Sequence, residues 1–187
     1  MLPKKSLLQD VRRLNCGCGP WIAPGWVNAD ARAAEGVDVV GDIRSGLALD
    51  SDCMDYIVAI HVLQDLPYMD IPIALRELRR VLVPGGMLRL GLPDLDKAIQ
   101  AYLARDHAYF YVPDCDARQI GTKLVTQITW YGSVRTPFTF ECIEEWLIRE
   151  RFREVRRCDF GQTGGSYPDI VALDNRPRES FFVEARK

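Results

Sequence analysis

Histidine occurs only twice in the 187 residues, at His61 and His107, which disfavours a metal centre built on imidazoles and leaves two positions for histidine acid–base chemistry. Cysteine occurs six times (Cys16, Cys18, Cys53, Cys115, Cys142, Cys158) but never as a CxxC pair. Cys16 and Cys18 sit within a glycine turn, and a chain of this length is no small disulfide-stapled scaffold, so free reduced thiols and no metal site are expected. No stretch approaches the ~18 uncharged apolar residues of a membrane span, and the opening residues 1–10 have no apolar signal core. A surplus of basic residues is also missing. Lys and Arg number 24 against 26 Asp and Glu, a net charge of −2, so the broad positive field of a non-specific nucleic-acid binder is absent. These absences point to a cytoplasmic protein whose partner is neither nucleic acid nor membrane.

What is present is ordinary globular composition, 48% hydrophobic and 27% charged, in a length that suits one domain over residues 1–187. Short β-like runs alternate with longer helical ones, which argues for an α/β fold with a mostly parallel sheet. Strands are expected at 12–16, 26–30, 37–40 and 55–60, the last nearly all apolar as a strand buried on both faces should be. Ile71, Leu75, Leu78 and Leu82 recur at helical spacing, with Asp70 as a cap and Pro84-Gly85-Gly86 as the stop. A strand at 87–92 follows. Asp94 should cap the next helix, whose stripe is Leu95, Ala98, Ile99, Tyr102 and Leu103.

Residues 106–137 show irregular periodicity and crowded aromatics, and read as an excursion from the sheet. A helix from Thr139 and strands at 155–160 and 181–185 complete the pattern. The loop 161–166 resembles a phosphate cradle but lacks its Lys-Ser/Thr ending and following helix, so a flexible connection is expected.

A glycine turn leaving the first strand and acidic residues ending the next two strands mark the carboxyl edge of the sheet, where open α/β folds bind ligands. Gly17 and Gly19 let the backbone approach a ligand. Asp30 can accept from a ribose diol, and Asp42 followed by Ile43 pairs an acceptor for an exocyclic amine with a surface for a purine. The dinucleotide fingerprint fails, because its third glycine falls on Ile22 and Asp30 lies only thirteen residues beyond Gly17. A nucleoside without bridging phosphates fits better.

Five segments taken in order, Leu14 to Gly19, Gly25 to Asp30, Gly41-Asp42-Ile43, Asp55 to Leu63 and Arg80 to Leu88, resemble the class I S-adenosylmethionine-dependent methyltransferases, in particular the bacterial type 11-like methyltransferase-domain group. The resemblance covers residues 12–104. It implies a Rossmann-like, seven-stranded, mostly parallel sheet with helices on both faces and the last strand antiparallel. It further implies S-adenosylmethionine as cofactor, with S-adenosylhomocysteine as product. Gly17, Cys18 and Gly19 would line its methionine part, Asp30 the ribose, Asp42 and Ile43 the adenine, and His61 with Val62 the floor beside the sulfonium. Cys16 and Ala31 complete this cofactor set. Where relatives often read His-Val-Leu-Glu-His-Leu, this chain has His61-Val62-Leu63-Gln64-Asp65-Leu66, so two polar positions near the pocket differ.

An activated methyl group requires mainly a nucleophile held in line and water excluded. If the acceptor is a hydroxyl, His61 is the candidate catalytic base, and packing against the cofactor is its bland alternative. The acceptor should lie under residues 106–137, where His107, Tyr109, Tyr111, Trp130 and Tyr131 are candidate substrate contacts, since the arm before Val11 is too short for a helical lid. The Asn/Asp-Pro-Pro-aromatic motif of enzymes that methylate adenine or glutamine is missing after the fourth strand, where Ala59-Ile60-His61-Val62 stands. The expectation is therefore methyl transfer to a small-molecule or saccharide acceptor at oxygen. The alternative is a non-catalytic protein of this fold that binds the cofactor or its product and acts through a partner.

Overall fold

The computed structural model describes residues 11–187, so the expectations placed on residues 1–10 lie outside the described residues. Seven strands form one sheet in the order β3-β2-β1-β4-β5-β7-β6. They are β1 (Arg13–Cys16), β2 (Val27–Asp30), β3 (Val39–Val40), β4 (Met54–Ile60), β5 (Leu82–Pro93), β6 (Arg153–Cys158) and β7 (Ser180–Arg186). β1 to β5 pair in parallel, and β7 lies between β5 and β6, antiparallel to both. This is the Rossmann-like sheet with an antiparallel last strand.

The apolar run in β4 sorts by the two-residue period of a strand. Ile57 and Ala59 enter the core under α1 (Ile71–Val81) and α4 (Phe140–Arg149), where Leu75, Leu78, Ile143 and Leu147 are fully buried. Tyr56 and Val58 face the other way, onto Ile170 of the short 3-10 turn Pro168–Val171 and the rings of Trp26 and Tyr167.

Several boundaries differ from the sequence expectation for identifiable reasons. Asp70 does not cap α1 with its side chain, because its carboxylate accepts from Arg44 Nη1 at 3.1 Å. α1 ends at Val81 and passes straight into β5. The break precedes the glycines, since Pro84 disfavours helical backbone at Val83, and Gly85 at φ +77° lies within the strand. Thr139 caps α4 by accepting from the Cys142 amide.

α2 (Leu95–Leu103), capped by Asp94 as expected, buries Ala98 and Ala101 and leaves Ile99 and Leu103 exposed. Its partner is α3 (Ile120–Thr129) within the 106–137 segment. The periodicity of α3 was hidden because polar residues occupy its buried side. Lys123 donates to the Val112 carbonyl and pairs with Asp114, and Gln127 Oε1 accepts from the Tyr111 amide at 2.8 Å.

The glycine-rich loop after β6 is pinned by a buried guanidinium. Arg89 of β5 is 0% exposed and donates through Nε to Asp174 Oδ1 at 2.7 Å and through Nη1 to Glu184 Oε1 at 2.9 Å. Nη1 also reaches the Gln162 carbonyl at 3.0 Å. Arg156 supplies a second cation to Glu184, and the Phe182 ring lies 5.1 Å from the Arg89 guanidinium carbon. Replacing Arg89 by Met leaves Asp174 without its buried counter-charge. Urea denaturation should show a loss of about 3–5 kcal/mol of unfolding free energy; an unchanged midpoint would show that Arg89 is not the cation that holds this corner.

Candidate active site

β1 ends at Cys16, and the amides of Gly17 and Cys18 both donate to the Ala29 carbonyl of β2, at 2.8 and 3.0 Å. This folds the glycine turn against the sheet edge. Gly17 has φ +70°, and a Cβ on it would lie 2.4 Å from Val62 Cγ2, so the close approach of the turn to the end of β4 requires glycine. Asp30, at the end of β2, accepts from the Gly19 amide at 2.8 Å and the Arg32 amide at 2.9 Å, one on each oxygen. A carboxylate has about four lone-pair sites, so Asp30 holds the turn in shape and keeps capacity for a ligand. Burial pushes the Cys16 thiol up to about 12, which makes it an inert part of the wall.

Asp42 does not stand free. The Arg44 guanidinium grips it through Nε at 3.0 Å and Nη2 at 2.6 Å, and reaches on to Asp70. This fork holds the Asp42 carboxyl below its ordinary range. An amine seeking Asp42 must share it with Arg44, a residue that the sequence reading overlooked although the two are only two positions apart.

Between these elements lies a cavity of about 380 Å³, within the size range of small-ligand sites. Cys16, Gly17, Asp30 and Ala31 line it together with Asp42, Ile43, His61 and Val62; Cys18 and Gly19 lie outside the lining. The glycine cradle and the spare acceptors of Asp30 fit a nucleoside.

A second cavity, of about 220 Å³, adjoins it on the side of α2 and α3. Tyr109 and Trp130 line it. His107, Tyr111 and Tyr131 do not, and each is exposed and otherwise placed. His107 opens a short 3-10 turn, Tyr111 lies under the Arg178 guanidinium with the carbon 5.0 Å from its ring, and Tyr131 donates to Asp116. The lining also includes Gln64, Asp65, Gln127, Arg176 and Glu179. Gln64 and Asp65 had a signal in the sequence, as the pair that departs from the usual pattern. Arg176 and Glu179 had none, because they sit in an irregular segment that Arg89 brings to the sheet through Asp174.

His61 and Asp65 are the two residues that line both cavities. His61 is held in left-handed backbone, φ +56°, an unusual conformation for a side chain of its size. Its amide donates to the Gly91 carbonyl at 2.8 Å, and Nε2 lies 2.9 Å from Ser180 Oγ. Burial first, then the positive charge of Arg176, push its imidazole down to about 4, so the ring is neutral at pH 7. Asp65 and Glu179 move the other way, raised by the protein packed around them.

Residues 14–90 match the family model described as the methyltransferase domain. No curated protein matches the chain. Among solved structures, a protein of Thermotoga maritima described as a SAM-dependent methyltransferase, possible histamine N-methyltransferase, is 18% identical with a TM-score of 0.61, covering 97% of this chain and 84% of that one. A SAM-dependent methyltransferase of Archaeoglobus fulgidus is 14% identical (TM-score 0.57; 95% and 87% covered). One of Mesorhizobium loti is 19% identical (TM-score 0.56; 95% and 91% covered). The fold is that of the class I S-adenosylmethionine-dependent methyltransferases. Within it, residues 14–90 are the part that matches the methyltransferase-domain model.

Two measurements probe this geometry. Asp30→Ala should weaken S-adenosylhomocysteine binding roughly 10- to 150-fold by calorimetry, the equivalent of about 1.5–3 kcal/mol for a charge-assisted contact; an unchanged dissociation constant would remove Asp30 from the ligand site. His61 binds its proton less readily in the fold than in the unfolded chain, where its pKa is near 6.5. Between pH 6.5 and 4 the unfolded state therefore takes up the proton first, and the stability that His61 allows above pH 6.5 falls away as the pH drops. Urea midpoints compared at pH 7 and pH 5 should show a smaller decrease for His61→Gln than for the wild type.

Proposed function

We propose that the protein transfers the methyl group of S-adenosylmethionine to an oxygen of a small-molecule or saccharide acceptor. The observation that carries this reading is the shared wall. A nucleoside-sized cavity and a smaller cavity meet at His61 and Asp65, so that ligands in the two would face each other there. S-adenosylmethionine, when bound, supplies a methyl group already activated on a sulfonium. The chain has to hold and orient the acceptor and keep water away, which can lower a barrier by roughly 7–11 kcal/mol.

In this reading Cys16, Gly17 and the adjoining turn face the methionine part, Asp30 accepts from the ribose, and Asp42 with Ile43 meets the adenine. His61 and Val62 form the floor between cofactor and acceptor. Residues 106–137 cover the acceptor. The support for that cover is the tie from the amides of Arg135 and Thr136 to the Gln64 carbonyl, at 2.8 and 3.0 Å, and from Thr136 Oγ1 to the Leu66 carbonyl at 2.7 Å. These bonds fasten the cover to the segment that ends the floor. His61 serves here through its neutral ring and its bond to Ser180. Taking up a proton would create a buried cation, which the surroundings oppose.

Calorimetry with S-adenosylmethionine, S-adenosylhomocysteine and NAD tests the reading. Micromolar binding of the first two and no response to NAD is expected, together with transfer of a labelled methyl group to an acceptor in a panel of small hydroxyl compounds and glycosides. Binding without transfer to any of them would favour the non-catalytic alternative. Absence of sulfur-nucleoside binding would end both.

A further inference from the structure

With His61 opposed to taking up a proton, removal of the acceptor's proton needs another group. We propose that the pair Gln64–Asp65 is the acceptor-recognition element. The Asp65 carboxylate and the Gln64 side-chain carbonyl accept hydrogen bonds from a hydroxyl-bearing ring, and Asp65 takes the proton of the hydroxyl that is methylated. This rests on the methyl-transfer reading and adds to it the residues that choose the acceptor.

Three independent features carry the assignment. The first is position. Asp65 is the carboxylate that borders both cavities, and it sits on a rigid support. The turn Leu63–Asp65 is anchored by fully buried Leu63 and by the two amide bonds to the Gln64 main-chain carbonyl.

The second is an unmet hydrogen bond. Gln64 is 5% exposed, lines the acceptor cavity, and its Oε1 has no partner among the described residues. A buried acceptor left unpaired carries its full desolvation cost. Less than 1 Å² of that oxygen is open to solvent, so a ligand that draws the side-chain amide into the cavity and donates to it removes that cost.

The third is the balance of donors and acceptors. Glu179 is engaged by Arg176, whose Nη1 lies 3.8 Å from its Oε1, which leaves Asp65 and the Gln64 carbonyl to accept from a ligand and suits one that donates through hydroxyl groups. Trp130 follows α3 in left-handed backbone, φ 40°, and its indole lines the same cavity, a surface on which the apolar face of a ring can pack. The volume of about 220 Å³ lies below that of drug-sized pockets and admits one such ring.

The proton step balances. The acceptor's O–H bond breaks, the proton bonds to a carboxylate oxygen of Asp65, and the electron pair stays on the acceptor oxygen as the nucleophile. Proton uptake turns an anion at the wall into a neutral acid, whereas protonating His61 would create a buried cation.

The test uses the protein loaded with S-adenosylhomocysteine, saturation-transfer NMR and calorimetry, and three probes: methyl α-D-glucopyranoside, propylammonium and propionate. The glycoside should bind and propionate should not. Asp65→Asn should weaken glycoside binding at least tenfold and by more than it weakens S-adenosylhomocysteine binding. Gln64→Leu, which keeps Asp65 and touches the second cavity alone, should also weaken the glycoside while the nucleoside affinity stays unchanged. Both variants binding the glycoside as the wild type does would overturn the proposal. So would failure of the glycoside to bind a protein that holds S-adenosylhomocysteine, or preference for propylammonium over the glycoside. Failure of the wild type to bind S-adenosylhomocysteine would instead overturn the methyl-transfer reading itself.

Discussion

The second cavity at the sheet edge depends on a cation with no access to water. Arg89 sits in the middle of β5 and satisfies its guanidinium with Asp174, Glu184 and the Gln162 carbonyl. A buried charge of this kind holds only when its partners are complete, and completing them fixes the path of the chain from β6 to β7. Asp174 sits two residues before Arg176. Through that connection an ion pair inside the sheet sets the position of Arg176 and Glu179 along the cavity, and that of Ser180 against His61. Packing of the apolar face under α1 and α4 gives the sheet its stability; the Arg89 cluster determines what the sheet presents at its edge.

The first cavity is built differently, from short polar contacts close in sequence. Its carboxylates are engaged before any ligand arrives. Asp30 shapes the glycine turn through the Gly19 amide, and Asp42 is gripped by Arg44. Such a pocket is organised in advance, so less ordering has to be paid for when a nucleoside enters. The second cavity is the reverse case, with Gln64 carrying an acceptor that nothing among the described residues fills.

The order of β1 to β5 was legible because each strand carries its own signal in a contiguous run: apolar residues in β4, glycines after β1, acids after β2 and β3. α3 was not legible, because Lys123 and Gln127 occupy its buried side and satisfy themselves against Val112 and Tyr111, contacts that no periodicity rule anticipates. Tyr111 and Tyr131 suggested acceptor contacts by type alone, yet Arg178 and Asp116 engage them elsewhere. Arg176 and Glu179 reach the cavity through a partner about 85 residues away in the chain. Local composition reveals an element, and it cannot reveal a wall assembled by a distant ion pair.

The insertion of β7 between β5 and β6 has a consequence for how the chain is made. β5 and β6 emerge during synthesis before the strand that separates them, and until β7 docks, β5 offers an open edge of unpaired amides and carbonyls. Exposed apolar edges of that kind recruit other chains. Arg89 is on that edge, charged and hydrated for as long as its acids have not arrived. The residue that is costly to bury in the finished protein thus places a hydrated charge on the open strand of the unfinished one.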